Sequence, residues 1–326
     1  MNARTDLGLR TSVIGLATLL SVPLWSQEPP ATEPIQPIPS AHDQHLCKVE
    51  LGERLFNDPR LSADDTVSCA RCHRLGEGGA DGLPRSIGIR GAQGVINSPT
   101  VFNTRFNVAQ LWDGRARTLE EQVDDPLHNP AEMDTNWPDV VTKLELDPKY
   151  AADFGAIYEE GITPATIRDA IATFERSLTT PNSRFDRWLW GDEEALSEQE
   201  REGYDLFKSY GCAACHQGMS VGGNMFQRMG TFGDYFADRG GEIEDVDLGR
   251  LNVTGEEEDR YHFKVPSLRL AVRTPPYFHD GNATTLENAI EMMGRYQLGR
   301  EIPDEHVTAI SAFLESLVGE HARLEP

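Results

Sequence analysis

The chain is poor in cysteine, short of positive charge, and without an apolar run long enough to be a confident membrane span. Only 30 basic residues stand against 53 acidic ones, a formal net charge of −23. That balance argues against nucleic acid or anionic lipid as the main partner and favours a basic protein. On charge alone, a solvated acidic surface with no partner is an equal reading. The apolar stretch Thr11 to Trp25 is too short for a span and follows Arg4 and Arg10, so residues 1–26 read as a secretory signal. Leu24 and Trp25 are bulky for a cleavage site, which leaves an uncleaved N-terminal anchor open. A hydrophobic fraction of 39% and a mean hydropathy of −0.46 fit a soluble globular protein. A length of 326 residues suggests two domains.

With five cysteines in all, the arrangement of four of them is informative: Cys69-Ala-Arg-Cys72-His73 and Cys212-Ala-Ala-Cys215-His216. C-x-x-C-H is the attachment signature of c-type haem. Each cysteine takes one vinyl group as a thioether, and the next histidine is carried under the iron. A structural zinc site would want its second ligand pair nearby, whereas these pairs lie in opposite halves of the chain; a thiol redox motif would not need the trailing histidine twice. Two covalently bound haems c are therefore expected. Export agrees with this, because such haem is attached outside the cytoplasm. Cys47 is left over and is expected to be a small buried hydrophobe.

Residues 27–47 read as a Pro-rich linker, since Gln27 to Ser40 carries five prolines and no periodic apolar pattern. Beyond it the signals are helical. Thr163-Pro164 opens a stripe of Ile167, Ala170, Ile171, Phe174 and Leu178. Ser197 to Glu200 is a capping box ahead of the helix leading to Cys212, and Thr284 to Glu287 is read as another, ahead of Met292 and Met293. Ile310, Phe313, Leu314 and Leu317 mark a closing helix within Pro303 to Val318. The glycines Gly76, Gly78, Gly79 and Gly82 lack the preceding strand and the Gly-Lys-Ser/Thr of a phosphate loop, so turns around a haem edge are expected. Both halves share the plan of helix, C-x-x-C-H and long loop, with a boundary placed near Asn182.

The strings LGERLFNDPRLS (51–62), SCARCH (68–73), NSPTVFN (97–103), LWDGRA (111–116), FERSLTTPNSRFDRWLWGD (174–192), GCAACH (211–216), VPSLR (265–269), TPPYFHDG (274–281) and MGRYQLG (293–299) resemble the bacterial dihaem cytochrome c peroxidases. That superfamily also holds the dihaem enzyme that matures methylamine dehydrogenase. The resemblance implies a mainly α fold of two c-type cytochrome domains packed across a shared interface. Residues 48–182 would form a peroxidatic haem domain and residues 183–326 an electron-transfer haem domain. It implies His73 and His216 as proximal ligands, Met293 as the distal ligand of the second iron, and Trp112 as the relay between haems. Gln122 and Glu132 would form the distal peroxide pocket. Asn97, Thr274 and Pro276 match the positions of a calcium site. From the residues alone, Met225, Met229 and Met292 remain alternatives to Met293, and His279 reads equally as a structural histidine or one close to the second haem. The implied partners are hydrogen peroxide and a small donor protein such as a monohaem cytochrome c, in the periplasm, with a homodimer left open.

The chain departs from the pattern at one place. Many relatives carry, in the loop after the segment matching Ser86-Ile87-Gly88 of LPRSIG (83–88), a histidine that caps the first iron in the resting oxidised enzyme; the matching position here is Ile89. Isoleucine cannot ligate iron and neighbouring Arg90 is a permanent cation, so the first iron is expected to be open or water-bound even when both are ferric. His42 and His45 are remote alternatives for filling it. The open iron keeps a second class in view, a dihaem oxidase acting on protein side chains, which uses tyrosine where this chain has Met293. A non-catalytic dihaem electron carrier is the third. Met293 and Ile89 rank peroxidase first.

Overall fold

A computed structural model describes Met1, residues 33–40 and residues 45–324. The expected signal segment and His42 lie outside the described residues. Five longer helices organise the chain: α1 (Leu46–Phe56), α2 (Pro164–Ser177), α3 (Glu198–Ser209), α4 (Leu286–Gln297) and α5 (Asp304–Ser316). Among the described residues no helix is long and apolar enough to cross a membrane. One small antiparallel sheet pairs β1 (Phe226–Arg228) with β2 (His262–Lys264).

Each half is built on a close helix crossing that only glycine permits. A Cβ on Gly52 of α1 would lie 1.9 Å from the Ala170 carbonyl oxygen and 2.8 Å from Phe174 Cβ, both on α2. In the second half a Cβ on Gly203 of α3 would lie 1.9 Å from the Ala309 oxygen and 2.9 Å from Phe313 Cβ, both on α5. The two halves thus repeat one device, in which a missing side chain lets backbones touch. Both crossings sit in front of a haem-attachment motif.

Local signals explain where the helices begin. Thr163 caps α2 through a reciprocal box with Thr166, with Pro164 at the first position, and Ser197 does the same for α3 with Glu200. The start of α4 is a correction: Thr285, in extended conformation, is the cap and accepts from the Asn288 N–H, so the box read at Thr284 to Glu287 is one residue early. On α5, Ile310, Phe313 and Leu314 are buried as their spacing predicts.

Leu51, Leu55, Val140, Phe154, Ile167 and Ile171 share one core, and Phe185, Tyr204, Phe207, Ile310 and Phe313 share another. Two further clusters join the halves. Leu270 packs with Phe56, Phe102, Phe174 and Leu178, while Trp112 packs against Met229, Tyr235, Phe236, Phe263 and Tyr296. The Pro-rich segment is extended but not free over residues 33–40. Ile35 and Ile38 are each 1% exposed, and Ile35 forms a parallel bridge with Gly218. The apolar residues between the prolines supply burial that the proline count alone conceals. Arg269, fully buried, binds Asp186 at 2.7 and 3.1 Å and donates to the Gln36 carbonyl, tying this segment to the second half. Cys47 is exposed, contrary to expectation: it lies in the first turn of α1, ahead of the turns that carry Leu51, Leu55 and Phe56 inward.

Candidate haem and catalytic sites

The two C-x-x-C-H motifs fold alike. Cys69–Cys72 is a single helical turn closed by the His73 N–H donating to the Cys69 carbonyl at 3.0 Å; the His216 N–H makes the same bond to Cys212 at 2.9 Å. None of the four cysteines is in a disulfide. Burial pushes Cys69 up to about 12 and Cys72 and Cys212 up to about 11, so as free thiols they would be inert. Such sites suit sulfurs that end as thioethers rather than as thiolate ligands. Burial also holds His73 below its ordinary value and lowers His216 to about 4, keeping both imidazoles neutral, as an iron ligand must be. His73 Nδ1 lies 3.1 Å from the Gly79 carbonyl oxygen, which leaves Nε2 as the nitrogen free for a metal. The residues present fit covalent haem in both halves.

Two carboxyls, one buried and one partly buried, flank the first motif. Glu132 is close enough to Cys72 to raise its thiol pKa, and Glu175 does the same for Cys69. Glu132 is not the exposed helix-start acid that its sequence context alone would suggest. It is partly buried, burial raises its pKa against the opposing pull of Arg115, and Asn129 Nδ2 donates to its Oε1 at 2.7 Å. Glu175, on α2, was not singled out in the sequence. It is 5% exposed, its pKa is pushed up to about 8 by burial, and it accepts from Gln122 Nε2 at 2.9 and 3.0 Å. That contact occupies the amide N–H side of Gln122, while its carbonyl oxygen makes no hydrogen bond to any described residue.

Ile89 lies in this same region. Its N–H donates to the Glu132 carbonyl at 2.8 Å, its side chain is 1% exposed in the first core, and a Cβ on Gly88 would meet the Ala131 oxygen at 2.1 Å. Neighbouring Arg90 is exposed and paired with Asp134 at 2.7 Å. The loop is thus packed backbone to backbone on the Glu132 segment and offers neither nitrogen nor sulfur ligand from Ile89. His45 is exposed at the start of α1.

In the second half a mostly apolar cavity is lined by Cys212, Cys215, His216, Met229 and Met293. Met225 and Met292 are not on its wall, which narrows the methionines facing it to two. Asn97, Thr274 and Pro276 line the same cavity, as do Trp112, Lys264 and His279. Asn97 is the junction of the halves: its carbonyl accepts from Trp112 Nε1 at 2.9 Å, its N–H donates to the His279 carbonyl at 2.8 Å, and its Nδ2 donates to the Leu83 carbonyl at 2.8 Å. The Trp112 ring stands edge-on to His279 and Phe263, with centroids 6.3 and 6.5 Å away. His279 Nε2 is 2.8 Å from Asp247 Oδ1, and Arg239 bridges Asp247 and Asp280. His279 is thus a hydrogen-bonded histidine that also stands on the wall of the second cavity.

A di-haem cytochrome c peroxidase family model matches residues 47–194. The cytochrome c peroxidase Ccp of Escherichia coli K12 is 51% identical over 288 residues, which cover 88% of this chain and 61% of that protein. The cytochrome c551 peroxidase of Nitrosomonas europaea is 47% identical over 291 residues, covering 89% and 85% respectively. A crystal structure of a MauG-like protein associated with microbial copper homeostasis superposes with a TM-score of 0.77 at 28% identity, over 91% of this chain and 96% of that one.

Proposed function

The chain belongs to the di-haem cytochrome c peroxidase family, and from that premise we propose that it reduces hydrogen peroxide to two waters, using two protons and two electrons delivered by a small redox protein. The haems, once bound, supply irons that pass electrons and take a peroxide oxygen. The single observation that carries the reading is Glu132: a carboxyl beside the first haem motif, partly buried, held by Asn129, with its proton affinity raised by burial.

Such a group can take the proton from the near oxygen of peroxide and hand it to the far one, so that the departing fragment leaves as water rather than hydroxide. Gln122 Oε1 accepts a hydrogen bond from the substrate and orients it, because Glu175 has taken the amide N–H side. Trp112, held by Asn97 and in contact with the second cavity, gives electrons an indole to cross between the halves. Met293 is the thioether we assign to the second iron, where sulfur ligation favours the reduced state and suits electron collection. Ile89 and the outward-facing Arg90 support a first iron that needs no prior reduction to meet peroxide.

The finer assignments are proposed on the same footing. The domain boundary near Asn182, calcium held by Asn97, Thr274 and Pro276, and export to the periplasm follow from the sequence resemblance and the signal-like start. The charge of −23 favours a basic cytochrome c as donor. Steady-state peroxide consumption with a soluble cytochrome c, by the fully oxidised and then the half-reduced protein, tests the reading. Turnover is expected from both forms, and no turnover from either would refute it.

A further inference from the structure

Two lysine or arginine side chains are buried among the described residues, and they differ in one respect. Arg269 is bound by the Asp186 carboxylate at 2.7 Å. Lys264, 7% exposed, has no hydrogen bond or ion pair from its amine to any described residue, and nothing of opposite charge offsets the burial that lowers it to about 8. Asp247 and Asp280, the carboxylates behind cavity-lining His279, are held by Arg239, and Asp247 also by His279. A little-exposed ammonium with no counter-charge is disfavoured, so this one suits an anion brought into the cavity by something else. The place where that anion would sit follows from β2. Pairing with Phe226 and the bond from its own N–H to the Trp112 carbonyl, at 2.8 Å, hold Lys264 on the wall of the cavity that also carries Cys212, Cys215, His216 and Met293.

We propose that Lys264 binds a propionate of the second haem and, through its fixed positive charge, raises the potential of the methionine-side iron. This rests on the two-haem reading. A carboxylate on the ring edge would complete the ammonium, and the ammonium would anchor the ring edge away from its thioether links. Ferric iron carries one more positive charge than ferrous iron, so a neighbouring cation disfavours the oxidised state and helps that haem accept electrons. Lys264 is thus a positioning residue that tunes electron entry without touching peroxide.

The test is a spectroelectrochemical titration of the holoprotein and its Lys264→Met and Lys264→Arg variants, each first checked for two haems per chain. Lys264→Met is expected to weaken reduction of the second haem about tenfold, some 59 mV for one electron, while Lys264→Arg stays within about twofold of the original. An unchanged potential in a two-haem Lys264→Met protein overturns the proposal. If Lys264→Met does not assemble, the unmodified holoprotein decides, with its potential read from pH 7 to pH 9. Of the other titratable groups on the cavity wall, Tyr277 is pushed up to about 12 and His279 is bound to Asp247. A paired ammonium keeps its charge and the potential stays level; a fall centred near pH 8 would mean a free amine and no propionate. Fewer than two haems in the unmodified protein would instead defeat the two-haem reading.

Discussion

Replacing Glu175 with Gln should make the protein more stable at alkaline pH. The carboxyl is almost entirely buried, both its oxygens lie within hydrogen-bond distance of Gln122 Nε2, and burial pushes it from 4.5 up to about 8. Folding therefore tightens its hold on a proton, and the sign follows from linkage: between those two values the folded chain carries the proton and the unfolded chain has lost it. Stability then falls as pH rises through the window and levels off above about 8. The whole rise in proton affinity corresponds to a ceiling of about 4 to 5 kcal/mol, and with relaxation around the site about half of that is expected. Glutamine keeps an acceptor for Gln122 and has no proton to lose. Guanidinium unfolding followed by far-ultraviolet circular dichroism at each pH from 5 to 9 measures the effect. The unmodified protein should lose on the order of 2 kcal/mol relative to Glu175→Gln across that range, with the two converging near pH 5. Parallel curves, or a variant less stable at pH 9, would refute the reasoning.

Glu132→Gln should slow peroxide cleavage by roughly 10² to 10⁴-fold with both haem spectra intact, as removal of an acid–base group does; undiminished turnover would remove Glu132 from proton transfer. Trp112→Phe keeps a ring in the same aromatic cluster but loses the bond to the Asn97 carbonyl. Single-turnover reaction with peroxide should persist while donor-driven turnover drops at least tenfold, measured by stopped-flow absorbance. Arg269→Met strands Asp186 in a fully buried position and should cost about 3 to 5 kcal/mol in guanidinium unfolding, whereas the double change with Asp186→Leu should recover much of it.

Much of the fold could be read from local signals because those signals act over a few residues. Thr163 with Pro164, and Ser197 with Glu200, each specify a helix start from within one turn. The C-x-x-C-H motifs were legible for the same reason, since one helical turn fixes the spacing of two sulfurs and a ring. Thr284 and Thr285 both offer a capping hydroxyl, and only the extended backbone at Thr285 decides between them. What stayed hidden depends on distant segments. Gly52 and Gly203 look like weak helix residues until Ala170 and Ala309 arrive against them. Glu175 reads as one more charge on an amphipathic helix, and its burial exists only once Gln122 and Cys69 are beside it. Lys264 sits in a strand too short to announce itself, and its isolation is a property of the cavity. Cys47 shows the converse, for its type suggested burial and its place in the first turn of α1 denied it.

The most direct measurement mixes fully oxidised, two-haem protein with hydrogen peroxide and follows the Soret absorbance in a stopped-flow instrument, with no reductant present. An iron left uncapped by Ile89 and served by Glu132 should react at once, and the resting spectrum should show one high-spin and one low-spin haem. A resting spectrum with both haems low-spin, and reaction only after half-reduction, would contradict it.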